Sequence, residues 1–169
     1  MIDSTYYNQS IRILVTGGAG FIGGALIRKL LTETNAKIFN IDKIGYASDL
    51  TGIKRILSGL NKDQADRHDL IKIDLTDSES TLHAVKYANP DIIFHLAAES
   101  HVDRSIDGPI SFLESNVIGT FNLLQAAKIH WEKLSSDRKR YFRFHHISTD
   151  EVFGSLGDSG KFSERSLYD

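Results

Sequence analysis

The sequence predicts an α/β fold: a doubly wound parallel sheet with helices on both faces, ending after a fifth strand. Two observations predict this fold class. Short apolar runs rich in β-branched residues alternate with longer segments in which apolar residues recur at helical spacing. Glycine, acidic or small residues follow each apolar run directly. Such an alternation is typical of parallel strands joined by crossover helices.

Five strands and four helices make up the predicted element order. The predicted strands cover residues 11–16, 37–41, 70–73, 91–96 and 141–147. The predicted helices cover residues 21–31, 48–60 and 78–87, followed by a long helix from residue 109 to about residue 134. Ser48 or Asp49 can cap the second helix, and Pro109 suits the first turn of the last one. The first helix is expected to face the sheet through Ile22, Ala25, Leu26 and Leu30.

A glycine-rich turn connects the first predicted strand to the first predicted helix. Gly17 permits a sharp turn, Gly20 lets the backbone approach a ligand closely, and Gly23 lets the helix pack tightly on the sheet. The helix N-terminus offers free N–H groups and a partial positive charge, which favour phosphate. The pattern therefore predicts a dinucleotide-binding loop, and the alternative is that the glycines only shape a tight turn.

An acidic residue, Asp42, follows the second predicted strand. It lies 19 positions after Gly23, close to the spacing of about 20 at which a carboxylate binds the ribose 2′-hydroxyl of a dinucleotide. The same carboxylate would repel a 2′-phosphate. The sequence therefore favours NAD over NADP as the cofactor.

Composition excludes several classes of function. The net charge of −2 gives no basic surface for a nucleic-acid partner, and no apolar run approaches the ~18 residues that a membrane span needs. The chain has no cysteine, so disulfides and thiolate metal sites are excluded, as expected of a cytoplasmic protein. We expect a loose arm over residues 1–10 and one cofactor-binding domain over residues 11–169.

The carboxyl ends of the later strands carry further candidate residues. Ligands of open parallel sheets bind beyond these ends. Asp74 is placed to meet an adenine edge with Leu75 as apolar packing, or else Asp74 caps the next helix. Ala97 and Ala98 leave room for a cofactor to pass close to the backbone, or else they only allow tight packing.

Histidines and the single tryptophan have simpler interpretations. His95, His101, His145 and His146 lack the spacing of a metal site, so no metal is predicted. His145 and His146 are expected to pack or hydrogen-bond within the core, and Trp131 to lie in the core or an interface.

Four stretches together resemble the extended short-chain dehydrogenase/reductase family, and within it the nucleotide-sugar 4,6-dehydratases. They are residues 16–23, 42–43, 97–105 and 148–154, and the resemblance extends from about residue 12 to the end of the chain. Thr149, Asp150 and Glu151 discriminate most strongly, because sister epimerases, decarboxylases and GDP-mannose dehydratases usually differ at one or more of these positions. The resemblance implies a Rossmann-type fold and NAD.

The activity that the resemblance implies is an internal redox cycle on a nucleotide-sugar substrate. The sugar C4 hydroxyl is oxidised, water is eliminated across C5 and C6, and the hydride returns to C6. Asp150 would protonate the leaving hydroxyl, Glu151 would remove the C5 proton, and Thr149 and Ser100 would contact the substrate. The resemblance also implies a homodimer for the full-length protein, formed through the long helix. It places these residues in the NAD site: Phe21, Ile22, Asp42, Lys43, Asp74, Leu75, Leu96, Ala97, Ala98, Glu99, Ser100 and Ser115.

The acidic pair after the fifth strand raises a geometric question. Neighbouring residues of an extended strand point to opposite faces, so the chain must turn at Asp150 if both carboxylates serve one site. Gly154 makes such a turn plausible. The alternative is that residues 149–151 only cap a loop or a short helix.

One family feature is missing from the sequence. Short-chain dehydrogenases use a Tyr-x-x-x-Lys pair to accept the hydroxyl proton, and no tyrosine of this chain is followed by lysine four residues later. We therefore expect an N-terminal fragment, without the C-terminal substrate domain, that binds NAD and is inactive. Another nucleotide-sugar epimerase or decarboxylase of the family, and a non-catalytic NAD-binding module, remain as alternatives.

Overall fold

The structure is a computed structural model that describes residues 11–101, 106, 108–157 and 159–168. Within these residues one parallel sheet contains five strands: β1 (Arg12–Thr16), β2 (Lys37–Asp42), β3 (His68–Lys72), β4 (Ile92–His95) and β5 (Arg143–His146). Their order is β3-β2-β1-β4-β5, so β2 and β4 flank β1 on opposite sides. The predicted doubly wound fold is confirmed. The predicted arm over residues 1–10 and the family stretch at residues 102–105 lie outside the described residues.

The helices follow the predicted order with two additions. They are α1 (Phe21–Glu33), α2 (Thr51–Gly59), α3 (Lys62–Ala65), α4 (Ser78–Ala88), the long helix α5 over residues 109–133, and α6 (Ser136–Tyr141). The short helices α3 and α6 were not predicted, since four to six residues show too little periodicity. Both have side-chain caps, from Asn61 and Ser135.

Helix α5 is continuous and consists of three helical segments. The α-helical residues Pro109–Phe112 and Thr120–Lys133 enclose a π-helical segment, Leu113–Gly119. Pro109 stands in the first turn as predicted, because its missing N–H costs nothing there. The π-helical segment was not predicted, and it faces the carboxyl ends of the strands.

Helices on both faces of the sheet build two separate cores. Along β1, Leu14 faces one core, whereas Ile13 and Val15 face the other, as the alternation of a strand requires. The first core lies under α4 and α5 and includes the buried residues Val85 and Leu123. The second lies under α1 and α2. Both faces of the central strands are therefore covered, which parallel sheets need.

Of the four residues predicted to face the sheet from α1, Leu26 and Leu30 pack against the second core as predicted, whereas the prediction is wrong for Ile22 and Ala25. Helix α1 packs through Gly23, Gly24, Ile27 and Leu31, while Ile22 and Ala25 are exposed. At the start of the helix the buried positions are glycines, because the backbone approaches the turn after β1 closely there, and Ile27 and Leu31 fill the core farther along.

The fifth strand is an exposed edge strand in the described part of the chain. His145 and His146 are both exposed there, so their predicted place in the core is wrong. Trp131 is 43% exposed and is not a core residue; its indole N–H lies 3.4 Å from the Lys139 carbonyl oxygen. Among the described residues, no helix combines the length and apolar character that crossing a bilayer requires.

Candidate cofactor site

The glycine turn after β1 forms a tight cradle that side chains would fill. Gly17 has a φ of +68°, and a Cβ there would stand 2.7 Å from the Ala97 backbone nitrogen. A Cβ on Gly23 would stand 2.2 Å from the Gly17 carbonyl oxygen. At Gly20 the nearest atom would be 3.2 Å away, so this residue keeps an open side. The roles predicted for Gly17 and Gly23 in turning and packing are therefore explained by the geometry.

The start of α1 is uncapped by any side chain. Gly20 is the N-cap residue, and no side chain accepts a hydrogen bond from the first turn. The N–H groups of a first turn have no partner within their own helix, so this end can bind an anion. Phe21 and Ile22, which were predicted to bind the cofactor, are 92% and 63% exposed. Neither they nor Gly23 line the groove that lies at the carboxyl ends of the strands.

A groove runs along the carboxyl ends of β1 to β4 beside this cradle. It is bounded by the turn after β1, the loops after β2, β3 and β4, and one residue of α5. Twelve of the predicted cofactor residues line it: Gly17, Gly20, Asp42, Lys43, Asp74, Leu75, Leu96, Ala97, Ala98, Glu99, Ser100 and Ser115. The structure therefore brings together residues from five separate stretches of the chain.

Three hydrogen bonds fix the Asp42 carboxylate in the groove. It is 8% exposed, and its Oδ2 accepts a hydrogen bond of 2.9 Å from the Ala19 N–H of the glycine turn. Its Oδ1 accepts hydrogen bonds from the Ile44 N–H and the Ser48 hydroxyl, at 2.8 and 2.9 Å. The carboxylate therefore stands fixed beside the phosphate cradle, and Ser48 holds this carboxylate instead of capping α2.

Asp74 shapes the loop after β3 and does not cap the next helix. Its Oδ1 accepts a hydrogen bond from the Thr76 N–H at 2.9 Å, and the N-cap of α4 is Asp77. The capping alternative for Asp74 is therefore wrong. Leu75 is 7% exposed and presents the apolar floor of the groove at this point.

An ion pair bridges the loops after β2 and β4. The Lys43 ammonium donates to Glu99 Oε1 at 2.9 Å and to the Ser115 hydroxyl of α5 at 3.1 Å. The Tyr46 hydroxyl donates to the other Glu99 oxygen at 3.3 Å. Burial lowers the pKa of Lys43, but the hydrogen bond and the charge of Glu99 outweigh it, so the pKa lies above its ordinary value. Three of the predicted residues are thus one connected cluster.

Asn116 is a site residue that the sequence did not reveal. Its Oδ1 accepts a hydrogen bond from the Glu99 N–H at 2.8 Å, and its Nδ2 donates to the Glu99 carbonyl at 2.9 Å. Asn116 lies in the π-helical segment of α5, and its side chain binds both the backbone N–H and the backbone carbonyl of Glu99. Because the two residues lie 17 positions apart, no local pattern could have indicated the contact.

The acidic pair after β5 lies at the same edge of the sheet, because the strands are parallel. A 3-10 turn, Asp150–Phe153, begins there, and Gly154 ends it with a φ of +79°. The turn predicted at Asp150 is therefore confirmed. Thr149 Oγ1 accepts a hydrogen bond from the Glu151 N–H at 3.3 Å. Thr149, Asp150 and Glu151 are all exposed, and none of them lines the groove.

Among the described residues, no cluster of three His, Cys, Asp or Glu side chains could hold a metal.

Comparisons with known proteins identify relatives for nearly the whole chain. The family model described as GDP-mannose 4,6 dehydratase matches residues 14–169. A probable dTDP-glucose 4,6-dehydratase of Sinorhizobium fredii is 48% identical over 159 residues, which is 94% of this chain and 43% of that protein. The dTDP-glucose 4,6-dehydratase of Escherichia coli is 47% identical over 157 residues, with 93% and 42% covered. The chain thus spans less than half the length of these relatives.

Solved structures show the same similarity. The dTDP-glucose 4,6-dehydratase of Bacillus anthracis in complex with NAD superposes with a TM-score of 0.72 at 32% identity, covering 94% of this chain and 44% of that one. The enzyme of the same name from Streptomyces venezuelae, with NAD bound, gives a TM-score of 0.74 at 36% identity, covering 94% and 45%. A UDP-glucose 4-epimerase of Thermus thermophilus is 24% identical and shares the fold. The chain therefore belongs to the extended short-chain dehydrogenase/reductases, in the GDP-mannose 4,6-dehydratase family.

Proposed function

We propose that this chain is the NAD-binding part of a dTDP-glucose 4,6-dehydratase, which forms dTDP-4-keto-6-deoxyglucose. The observation that carries the proposal is the groove, in which the glycine cradle, the fixed Asp42 carboxylate and the loops after β3 and β4 line one continuous surface. The 48% identity to a probable enzyme of that name supports the choice of substrate.

The residues of the groove fit a dinucleotide. The cradle leaves no room for side chains at Gly17 and Gly23, and the uncapped first turn of α1 offers N–H groups to a pyrophosphate. Asp42 is held where it can accept from ribose hydroxyls, and the floor at Leu75 suits an adenine ring. Bound NAD supplies reversible hydride transfer, while the chain binds and orients it.

The acidic pair after β5 supplies the acid and the base of the elimination in this proposal. Asp150 protonates the departing C6 hydroxyl, Glu151 removes the C5 proton, and Thr149 and Ser100 hold the sugar. Support comes from the turn at Asp150, which brings adjacent side chains out of the strict alternation of a strand. Positioned acids and bases of this kind each contribute about 10²–10⁴-fold to rate.

In our proposal, these 169 residues do not supply the Tyr-x-x-x-Lys pair that accepts the proton of the sugar C4 hydroxyl. The sequence contains no Tyr-x-x-x-Lys. A carboxylate is a poor substitute, because the acceptor must take a proton from an alcohol while hydride departs. We therefore expect the chain alone to bind NAD without producing a keto-sugar, and steady keto-sugar formation by the purified chain would contradict this.

A homodimer through α5 belongs to the same proposal. Several large apolar side chains of this helix are exposed, each by at least 47%: Ile110, Leu113, Val117, Ile118, Phe121 and Leu124. Apolar surface of this extent on one helix is typical of a protein–protein interface. A second copy of the chain would cover it. The proposed enzyme acts in the cytoplasm, where its nucleotide-sugar substrate is found, without a nucleic-acid or membrane partner.

Calorimetric titration of the chain with NAD and NADP tests the cofactor. We expect NAD to bind at least tenfold more tightly than NADP, and Asp42→Asn to narrow this difference because the amide no longer repels a 2′-phosphate. Absence of NAD binding would contradict the proposed function.

A chimera tests the chemistry. Residues 11–169 would replace the matching segment of the Sinorhizobium fredii relative, of which they cover 43%. We expect the chimera to convert dTDP-glucose, and Asp150→Asn and Glu151→Gln each to lower the rate by about 10²-fold or more with NAD binding intact. Epimerised product, or NAD binding without any turnover, would favour the epimerase or the non-catalytic alternative.

A further inference from the structure

A buried histidine links three elements behind the wall of the groove. His95 ends β4 and is 1% exposed. Its Nδ1 lies 2.7 Å from the Thr16 hydroxyl at the end of β1, and its Nε2 lies 2.9 Å from the Thr120 hydroxyl of α5. Both ring nitrogens are therefore engaged by hydroxyl groups from different elements.

The direction of these hydrogen bonds follows from a third one. The Ala97 N–H donates to Thr16 Oγ1 at 3.3 Å. Thr16 is fully buried, and within the described residues its hydroxyl hydrogen-bonds only with the Ala97 N–H and His95 Nδ1, so Nδ1 is the acceptor available to the hydroxyl proton. His95 consequently carries its proton on Nε2 and donates to Thr120 Oγ1, since a neutral imidazole has one donor and one acceptor.

The surroundings keep the ring neutral. Burial lowers the pKa of His95 to about 4, and the neighbouring His146 of β5, whose ring centroid is 5.2 Å away, adds to the effect. The ring meets hydroxyl groups from β1 and α5, and the Phe144 ring edge from β5 at 6.1 Å. A neutral ring preserves the one acceptor that the Thr16 hydroxyl needs.

The chain of hydrogen bonds ends on a backbone that lines the groove. Thr16 immediately precedes Gly17, and Ala97 is the second residue after the end of β4. Gly17 and the Ala97 backbone are in such close contact that a Cβ on Gly17 would stand 2.8 Å from the Ala97 Cα. The Thr16 hydroxyl therefore acts with the backbone hydrogen bond from the Leu96 N–H to the Thr16 carbonyl oxygen, at 3.2 Å, to set the separation of these two segments.

We infer that His95 is a positioning residue for the dinucleotide groove, which as its Nε2-protonated tautomer orients the Thr16 hydroxyl, holds the Ala97 amide against the glycine turn and ties both to α5. This inference rests on the proposed function. If the histidine merely filled the core, removing the hydroxyl that it orients would leave cofactor affinity unchanged.

The tautomer is tested by nuclear magnetic resonance on the chain with ¹⁵N-labelled histidine. We expect a ring with unprotonated Nδ1 and protonated Nε2 that stays neutral from pH 8 to about 5. A ring protonated on Nδ1, or charged at neutral pH, would overturn the inference.

Cofactor affinity is tested with paired variants of Thr16. Thr16→Ser keeps the hydroxyl, and we expect it to bind NAD as the unmodified chain does. Thr16→Val removes the hydroxyl, and we expect NAD affinity to fall about tenfold, as the loss of one buried hydrogen bond would. The matched control is Thr34→Val, because the Thr34 hydroxyl bonds the Leu30 carbonyl oxygen at the opposite edge of the sheet.

The outcomes separate this inference from the proposed function. Failure of the unmodified chain to bind NAD would reject the proposed function and, with it, the cofactor role of His95. If the unmodified chain binds NAD and the Thr16→Val and Thr34→Val variants bind it equally well, the inference alone fails. A tenfold loss in Thr16→Val only, together with the expected tautomer, supports it.

Discussion

Gly23 shows how one missing side chain fixes the geometry of the cradle. An added Cβ would meet the Gly17 carbonyl oxygen at 2.2 Å and the Gly17 carbonyl carbon at 2.9 Å. Both are backbone atoms, so no side-chain rotation can relieve the contact. The distance between α1 and the turn after β1 therefore depends on glycine at this position.

Gly23→Ala should lower the free energy of unfolding by about 2 kcal/mol or more and weaken NAD binding, because the helix must move away from the turn. Chemical denaturation and calorimetric titration measure the two effects. Gly59→Ala is the matched control. A Cβ there meets nothing within 4 Å, and because Gly59 is the last residue of α2 we expect a gain of at most about 0.5 kcal/mol. Equal effects of the two substitutions would contradict the explanation.

Residue types at strand ends were predictable, but their partners were not. The glycine spacing and the acidic end of β2 follow from local rules, and the structure places Gly17, Gly20 and Asp42 in one groove. The bridge from Lys43 to Glu99 joins residues 56 positions apart, and only the strand order brings them together. Sequence patterns carry no information about which strands flank β1.

At the scale of elements, the start of α4 has the strongest local capping of the described helices near the groove. Asp77 Oδ1 accepts hydrogen bonds from the Glu79 and Ser80 N–H groups at 3.1 Å, and its Oδ2 accepts from the Ser80 hydroxyl at 2.6 Å. The hydrogen bonds from Ser80 hold the pKa of Asp77 below its ordinary value. The charged cap therefore favours the folded state.

Asp77→Ala should destabilise the chain, whereas Asp77→Asn should keep most of the cap, because asparagine caps helices as well as aspartate does. The pH dependence has a definite sign. A lowered carboxyl pKa contributes stability that is present above the ordinary value and lost as the pH falls through the lowered one. The unmodified chain should therefore lose its advantage over Asp77→Ala in acid. Thermal unfolding across that range measures this, and a constant difference would contradict it.

The ion pair over the groove connects two loops and so acts between elements. The Glu99 side chain is 13% exposed and Lys43 40%, whereas the helical pair Lys29–Glu33 is 57–68% exposed. A double-mutant cycle with Lys43→Met and Glu99→Gln should give a coupling energy of about 0.5–1 kcal/mol. Lys29–Glu33 is the control at about 0.3 kcal/mol. Added salt should reduce the control coupling more strongly, and equal screening would contradict the difference in burial.

The long helix shows why an element can be predicted while its detail is not. Its beginning at Pro109 and its extent follow from composition and periodicity. The π-helical segment Leu113–Gly119 carries Ser115 and Asn116 to the groove and lets Gly119 pack on Leu75, where a Cβ would stand at 3.2 Å. These contacts are tertiary, and π-helical segments commonly occur at functional sites.

At the scale of the whole molecule, the centre of the sheet and its β5 edge are covered unequally. The central strands are buried on both faces, as the alternation of strands and helices predicted. In strand β5 the side chains of Arg143, His145 and His146 are exposed, whereas the sequence predicted that the two histidines lie in the core. Sequence periodicity identifies a strand but does not reveal whether another element covers it.

The exposed apolar surface of α5 predicts that the chain associates with a second copy through this helix. Val117 and Phe121 lie one turn apart, are 56% and 55% exposed, and project from a helix whose other face packs on α4. If a second copy covers this surface, Val117→Glu and Phe121→Glu should each raise the dimer dissociation constant at least tenfold, because a carboxylate would be buried without a partner. Sedimentation velocity over a concentration series measures the dissociation constant.

Ser58→Glu is the control, because it adds the same charge on α2 and should leave the dissociation constant unchanged. A monomer at all concentrations, or equal weakening by the Ser58 variant, would show that α5 is not the interface.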